Sequence, residues 1–215
     1  MKKINLLKSI LRIKRNINLR KNNKTNKVIK IAQKFGKDYF DGDRKYGYGG
    51  YYYDGRWKKV VLDFIKYYKL KPGDKVLDVG CAKGFLVKDF LDRGINAYGI
   101  DISSYAIANC HKDVVTSVKV ANAKLLPFPD KSFKLVISIN TLHNLTKLDC
   151  AVAIKEIMRV SKKHSYIQVD AYKNIIERKI FLDWVLTAKF HTYCDNWKKF
   201  FKKINYKGEY NWTFV

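Results

Sequence analysis

Cysteine is scarce and scattered: Cys81, Cys110, Cys150 and Cys194 are the only four in 215 residues, and no two form a C-x-x-C pair. That spacing points away from a zinc knuckle or a disulfide framework, so no metal is expected and the thiols should be reduced and mostly buried. Long apolar runs are missing too. None approaches the roughly 18 residues that a membrane span requires. The first twenty residues keep returning to Lys and Arg and lack the apolar core of a secretory signal. The expectation is a soluble, cytoplasmic chain. Acid is in short supply, with 19 Asp and Glu against 44 Lys and Arg, for a formal net charge of +25. Such a field attracts polyanions. Only eight of the basic residues are Arg, however, and a chain rich in Lys, Asn and Ile is also what an AT-rich coding sequence produces. Nucleic acid is a partner left open and not favoured.

What is present suits one globular domain with a tail, at 47% hydrophobic and 14% aromatic residues. Residues 1–30 are strongly basic, with Ile4, Leu7 and Leu11, and Ile10, Ile13 and Ile17, at roughly helical spacing. This reads as a basic amphipathic segment that contacts an anionic membrane surface or nucleic acid, or as a frayed helix running into the polar stretch Lys21 to Lys27. Residues 1–35 are therefore set apart as an appendage. Residues 36–215 form the body, with an aromatic lid at 46–57, a core at 58–171 and acceptor-side elements at 172–215.

From residue 58 the pattern becomes regular. A helix (58–68) and the turn "KPGD" lead to the strand "KVLDVG", and a helix from Gly84 to Arg93 follows. Then come the strand "NAYGID", a helix at 104–111, a short strand at 117–121, the strand "KLVISIN", a helix at 149–160 and the strand "SYIQVDA". Two further helices (174–189 and 195–203) and a strand near "YNWTFV" end the chain. Val- and Ile-rich strands alternating with helices predict an α/β fold of the Rossmann-like, doubly wound kind, with a mostly parallel sheet and helices on both faces.

In such sheets ligands sit at the carboxyl ends of the strands. One end carries Asp78-Val79-Gly80-Cys81-Ala82-Lys83-Gly84, and the next carries Asp101, twenty-one residues beyond Gly80. Glycines let a backbone approach a ligand, and a carboxylate can accept both ribose hydroxyls, so an adenosine-type ligand is expected. The register D-x-G-x-A-x-G misses the G-x-G-x-x-G of dinucleotide sites, which leaves a nicotinamide cofactor as the lesser alternative. Asp78 to Gly84, Asp101, "LLPFPDKSFKLVISINTLHNL" and "AIKEIMRV" resemble the class I S-adenosylmethionine-dependent methyltransferases, of the small bacterial, type 11-like kind. The resemblance covers about 58–171. It implies S-adenosyl-L-methionine as cofactor, with Asp78, Gly80, Cys81, Ala82 and Gly84 at its methionine half. It puts Asp101 on the ribose, Ile102 beside the adenine, and Asn122 and Ala123 where an acid-Ala pair usually meets the adenine amino group. Asn122 would accept that bond through its carbonyl oxygen. The stretch Ser138 to Thr141, with Asn140, is expected at the cofactor's amino group and the methyl-transfer mouth. Ala82 stands where a middle glycine is commoner, Lys134 replaces an aspartate, and "KKHS" replaces "KPGG".

A sulfonium methyl needs an aligned nucleophile and, for a hydroxyl, a base. His143 and Asp170 are the candidates, each with a packing or capping role as the alternative, and His191 is a weaker one. The stretch "YGYGGYYYDGRW" offers Tyr48, Tyr51, Tyr53, Arg56 and Trp57 as a lid and acceptor wall, because aromatic faces with polar tips suit sugar or nucleoside rings. The expected activity is O-methylation of a sugar or sugar-linked small molecule, as in small methyltransferases of surface-polysaccharide gene clusters. Methylation of RNA or protein and a non-catalytic cofactor-binding role are the alternatives.

Overall fold

A computed structural model describes residues 1–10 and 15–215. Seven strands form one sheet: β1 (Lys2–Lys3), β2 (Lys75–Val79), β3 (Asn96–Asp101), β4 (Val118–Val120), β5 (Phe133–Ile139), β6 (Ser161–Asp170) and β7 (Glu209–Thr213). The helices are α1 (Ile17–Asn23), α2 (Asn26–Ala32), α3 (Lys37–Phe40), α4 (Lys58–Tyr68), α5 (Phe85–Leu91), α6 (Ser104–Ala108), α7 (Lys147–Val160), α8 (Ile175–Trp184) and α9 (Cys194–Lys203).

The strand order is β1-β7-β6-β5-β2-β3-β4, and every pairing is parallel. From β2 the chain steps outward through β3 to β4, then returns to lay β5 on the other side of β2. The order therefore reverses at the β2/β5 boundary, where ligand sites form in such sheets. Parallel neighbours need crossovers, and helices on both faces supply them. Val76, Leu135 and Ile137 pack with α4 and α5 on one face. Leu77, Val79 and Val136 pack with α7 and α9 on the other. This is the period-two alternation of a sheet buried on both sides.

Local sequence explains the helix limits. Thr146 caps α7 by accepting from the Asp149 N–H, and Cys150, Ala153, Ile154, Ile157 and Val160 form its buried stripe. Helix α4 ends on Lys69 in the left-handed region (φ 50°), just ahead of Pro72 and Gly73. Helix α8 is shorter than the sequence pattern predicts. Val185 turns extended (ψ 138°), and beyond it Leu186 is buried against Val28 and Ala32 of α2.

The first thirty-five residues differ most from expectation. Instead of standing apart, Lys2 and Lys3 add a parallel edge strand to β7. Leu6 and Leu7 are buried beside Val60 and Phe64. Helix α1 packs on α8, where Arg20 is buried with its guanidinium 4.7 Å from the Trp184 ring, donating to the Lys45 and Gly47 carbonyls. The apolar side chains expected to face a membrane are thus largely spent on the protein's own core; Leu11 and Ile13 lie outside the described residues. Among the described residues no helix is long and apolar enough to cross a membrane.

Candidate active site

The carboxyl ends of β2, β3 and β5 open onto a cavity of about 440 Å³, within the usual range for small-molecule sites. Its strand-end wall is made largely by backbone. Gly80 takes φ 89°, and a Cβ there would stand 2.0 Å from Thr141 Oγ1, so only glycine lets β2 and the end of β5 meet. Its N–H and that of Cys81 both donate to the Ile100 carbonyl. Ala82 sits in the left-handed region (φ 50°) and aims its N–H at Asp101 Oδ2, 2.8 Å away. The Ser103 N–H donates to the other oxygen at 2.8 Å. Asp101 is thereby fixed at the cavity with lone pairs left for a ligand, and Ile102, Asn122 and Ala123 lie on the same wall.

Asp78 is buried on this wall. Burial and the nearby Asp101 push its carboxyl up to about 8, and among the described residues no hydrogen bond or cation holds it down. Asn144 Oδ1, also on the wall, is buried and has no hydrogen-bond partner among the described residues. Two carboxylates and an unpartnered amide oxygen around one cavity suit a ligand that brings positive charge and hydroxyl or amino donors.

The facing wall comes from the segment before the core. Tyr48, Tyr51 and Trp57 line the cavity, joined by Phe35, Tyr39 and Phe40. Their rings stack on one another and on the core: Tyr48 on Phe40 (5.8 Å between centroids), and Tyr51 on Phe85 (4.9 Å). The Lys83 ammonium grips both oxygens of Asp41 (2.8 and 2.7 Å), and the Tyr105 hydroxyl donates to the same carboxylate. The lysine inside the glycine-rich loop is therefore a tie to the lid.

Several expected site residues lie elsewhere. Gly84 is left-handed (φ 75°) at the start of α5, and a Cβ there would meet Val114 at 2.7 Å, so it serves packing and does not line the cavity. Tyr53 leaves the cavity to donate to Asp89, and Arg56 pairs with Asp54 in the same turn. Cys81 lines the cavity but is packed against the backbone of β3 at Gly99, with burial pushing its thiol pKa up. Asn122 Oδ1 already accepts the Lys124 N–H at 3.0 Å, which leaves one lone pair for a ligand.

His143 is the main correction. After Asn140 (φ 54°) the chain enters a short 3-10 turn at Leu142–Asn144, which turns position 143 into the core and position 144 toward the cavity. Its Nδ1 accepts the Asp170 N–H at 3.1 Å, so the ring proton sits on Nε2, 3.4 Å from Asp170 Oδ2. Burial lowers its pKa, and Asp170 opposes that shift. Neither residue lines the cavity. The His143 carbonyl instead accepts the N–H groups of Lys189 and Phe190, anchoring the loop that carries Lys189 to the cavity rim. His191 is paired with the Tyr172 hydroxyl, away from the cavity.

Residues 77–169 match the family model described as a methyltransferase domain. An uncharacterized protein of Methanocaldococcus jannaschii is 32% identical, covering 68% of this chain and 56% of its own length. The 2-methyl-6-phytyl-1,4-hydroquinone methyltransferase of Synechocystis sp. is also 32% identical, over 60% of this chain and 41% of that protein. The chain thus spans about half the length of these relatives. A solved structure of a SAM-dependent methyltransferase from Archaeoglobus fulgidus shares the fold, with a TM-score of 0.56 at 20% identity over 70% of this chain and 69% of that one. With the sheet and cavity above, residues 77–169 are similar to class I S-adenosylmethionine-dependent methyltransferases, a domain whose cofactor is S-adenosylmethionine.

Proposed function

We propose that this protein transfers the sulfonium methyl group of S-adenosylmethionine to a ring-shaped small molecule bound against the aromatic wall. The observation that carries the reading is the buried Asp78 carboxyl, which lines the cavity beside Asp101 with no cation beside it among the described residues. A cationic ligand with a ribose supplies what both groups lack. When bound, the cofactor supplies an electrophilic methyl carbon. Asp101 would hold the ribose hydroxyls, Asp78 would face positive charge, and Tyr39, Tyr48 and Tyr51 would exclude water and fix the acceptor ring.

No histidine lines the cavity among the described residues, and the half-buried Tyr39 and Tyr51 have hydroxyl pKa values raised further by desolvation. With Asp78 and Asp101 facing the cofactor and Asp149 paired with Lys124 at 3.0 Å, the wall favours an acceptor whose reacting atom is already acidic or electron-rich. A phenol or hydroquinone ring meets that condition, and one relative is named for such a substrate. A sugar hydroxyl is the second reading, favoured by the aromatic faces alone.

Calorimetry with S-adenosylhomocysteine tests the site. The parent should bind, and Asp101→Ala should weaken binding about tenfold or more, in keeping with the roughly 1.5–3 kcal/mol of hydrogen bonds to a charged group. A folded parent that does not bind would refute the methyltransferase reading. Methyl transfer to hydroquinones over nucleotide sugars would support the phenolic acceptor, and the reverse order would select the sugar.

A further inference from the structure

A chain of hydrogen bonds runs from the core to the cavity through residues that the cofactor site does not use. The Tyr166 hydroxyl donates to Gln168 Oε1 (2.7 Å), Gln168 Nε2 to Thr213 Oγ1 (2.8 Å), and Thr213 Oγ1 to Asn140 Oδ1 (2.8 Å). Its direction is set at the buried end. The Tyr166 hydroxyl has two acceptors in reach, Gln168 Oε1 at 2.7 Å and the Ile4 carbonyl at 3.4 Å, and its single proton goes to the nearer, Gln168. Gln168 must then present its amide nitrogen to Thr213, and Thr213, having accepted, must donate to Asn140. The strands hold the spacing: Asp170 pairs with Thr213 across β6 and β7, and the Asn140 N–H donates to the Gln168 carbonyl. Asn140, with its oxygen engaged, lines the cavity, and among the described residues no protein group accepts from its Nδ2.

We propose that Gln168 and Thr213 are positioning residues that fix Asn140 as a hydrogen-bond donor at the methyl-transfer mouth, so that the acceptor presents an oxygen there. The proposal rests on the methyltransferase reading. It also reverses the expectation that the Asn140 side chain meets the cofactor's ammonium, which needs an acceptor rather than a donor.

Thr213→Val removes the hydroxyl at nearly constant volume, and Thr213→Ser restores it. The probe is 1,4-naphthohydroquinone with S-adenosylmethionine, followed by S-adenosylhomocysteine formation. Thr213→Val should lower kcat about tenfold, the size of effect expected for one hydrogen bond, with S-adenosylhomocysteine affinity within about twofold of the parent. Thr213→Ser should recover most of the rate. Equal loss in both variants, no loss in either, or a parallel loss of cofactor affinity would overturn the proposal. A parent that binds S-adenosylhomocysteine but methylates no oxygen-bearing ring would do the same. If the parent fails to bind S-adenosylhomocysteine, the methyltransferase reading fails separately, and the relay is still read by NMR. The Asn140 side-chain amide pair, assigned by its loss in Asn140→Asp, should shift in Thr213→Val and hold in Thr213→Ser. An unmoved pair in Thr213→Val would overturn the relay.

Discussion

The strand-end wall of the cavity, from Asp78 to Asp101, is held by backbone: glycine geometry, amides aimed at one carboxylate, and a loop pinned to the Ile100 carbonyl. The lid wall, from Phe35 to Trp57, is held by side chains: stacked rings and the grip of Lys83 and Tyr105 on Asp41. Backbone construction tolerates almost no change at the residue that makes the turn, because an added atom must displace main chain. Side-chain construction spreads its energy over many rings, each aromatic pair adding about 0.5–1.5 kcal/mol beyond burial. A single substitution there should loosen the wall without removing it. On the proposed reading the first wall meets the cofactor, and the second is free to vary with the acceptor.

That contrast can be broken at Gly80. Gly80→Ala puts a methyl group in a left-handed residue and into Thr141, and we expect a loss of about 3 kcal/mol or more in unfolding free energy together with undetectable S-adenosylhomocysteine binding. A stable, binding Gly80→Ala protein would show that the wall is softer than its geometry. On the lid, Asp41→Asn removes the charge that Lys83 and Tyr105 hold. The expected result is a smaller cost, about 1–3 kcal/mol, with faster release of S-adenosylhomocysteine in stopped flow and retained binding. Release at the parent rate would mean that the lid does not control exit.

The finest test is pH. Folding raises the Asp78 carboxyl to about 8, so between its ordinary value and about 8 the folded state keeps a proton that the unfolded state has lost. By linkage the ligand-free protein loses stability as pH rises across that window. Thermal melts from pH 5 to 9 should show a fall in Tm that Asp78→Asn lacks. A cationic ligand favours the charged carboxylate, so S-adenosylmethionine affinity should rise over the same window. Parallel Tm profiles for parent and variant would place the titration elsewhere.

Much of the strand-end wall was legible in the sequence because its signals are local. Asp78, Gly80, Ala82 and Asp101 stand at fixed intervals in strands whose apolar pattern is unambiguous, and a strand end with glycines has few things to do. The lid was half legible. "YGYGGYYY" announced an aromatic surface, and the same density in "FGKDYF" (35–40) extends it, but a boundary drawn at residue 35 hid Phe35 and separated that stretch from the lid. His143 misled because a histidine just past a strand end has the right chemistry, and only the 3-10 turn decided that it points inward while Asn144 faces the cavity.

The sequence by itself determined the α/β class, the order of the core elements and the acid-and-glycine wall at the strand ends, because periodicity and loop chemistry act over a few neighbouring residues. Tertiary structure alone decided the rest. It used the basic N-terminal segment as a sheet edge and core cover, tied Lys83 to Asp41 and Thr213 to Asn140, and took His143 and Asp170 out of the cavity. Those partners lie tens to more than two hundred residues apart in the chain, and no local pattern records which of them will meet.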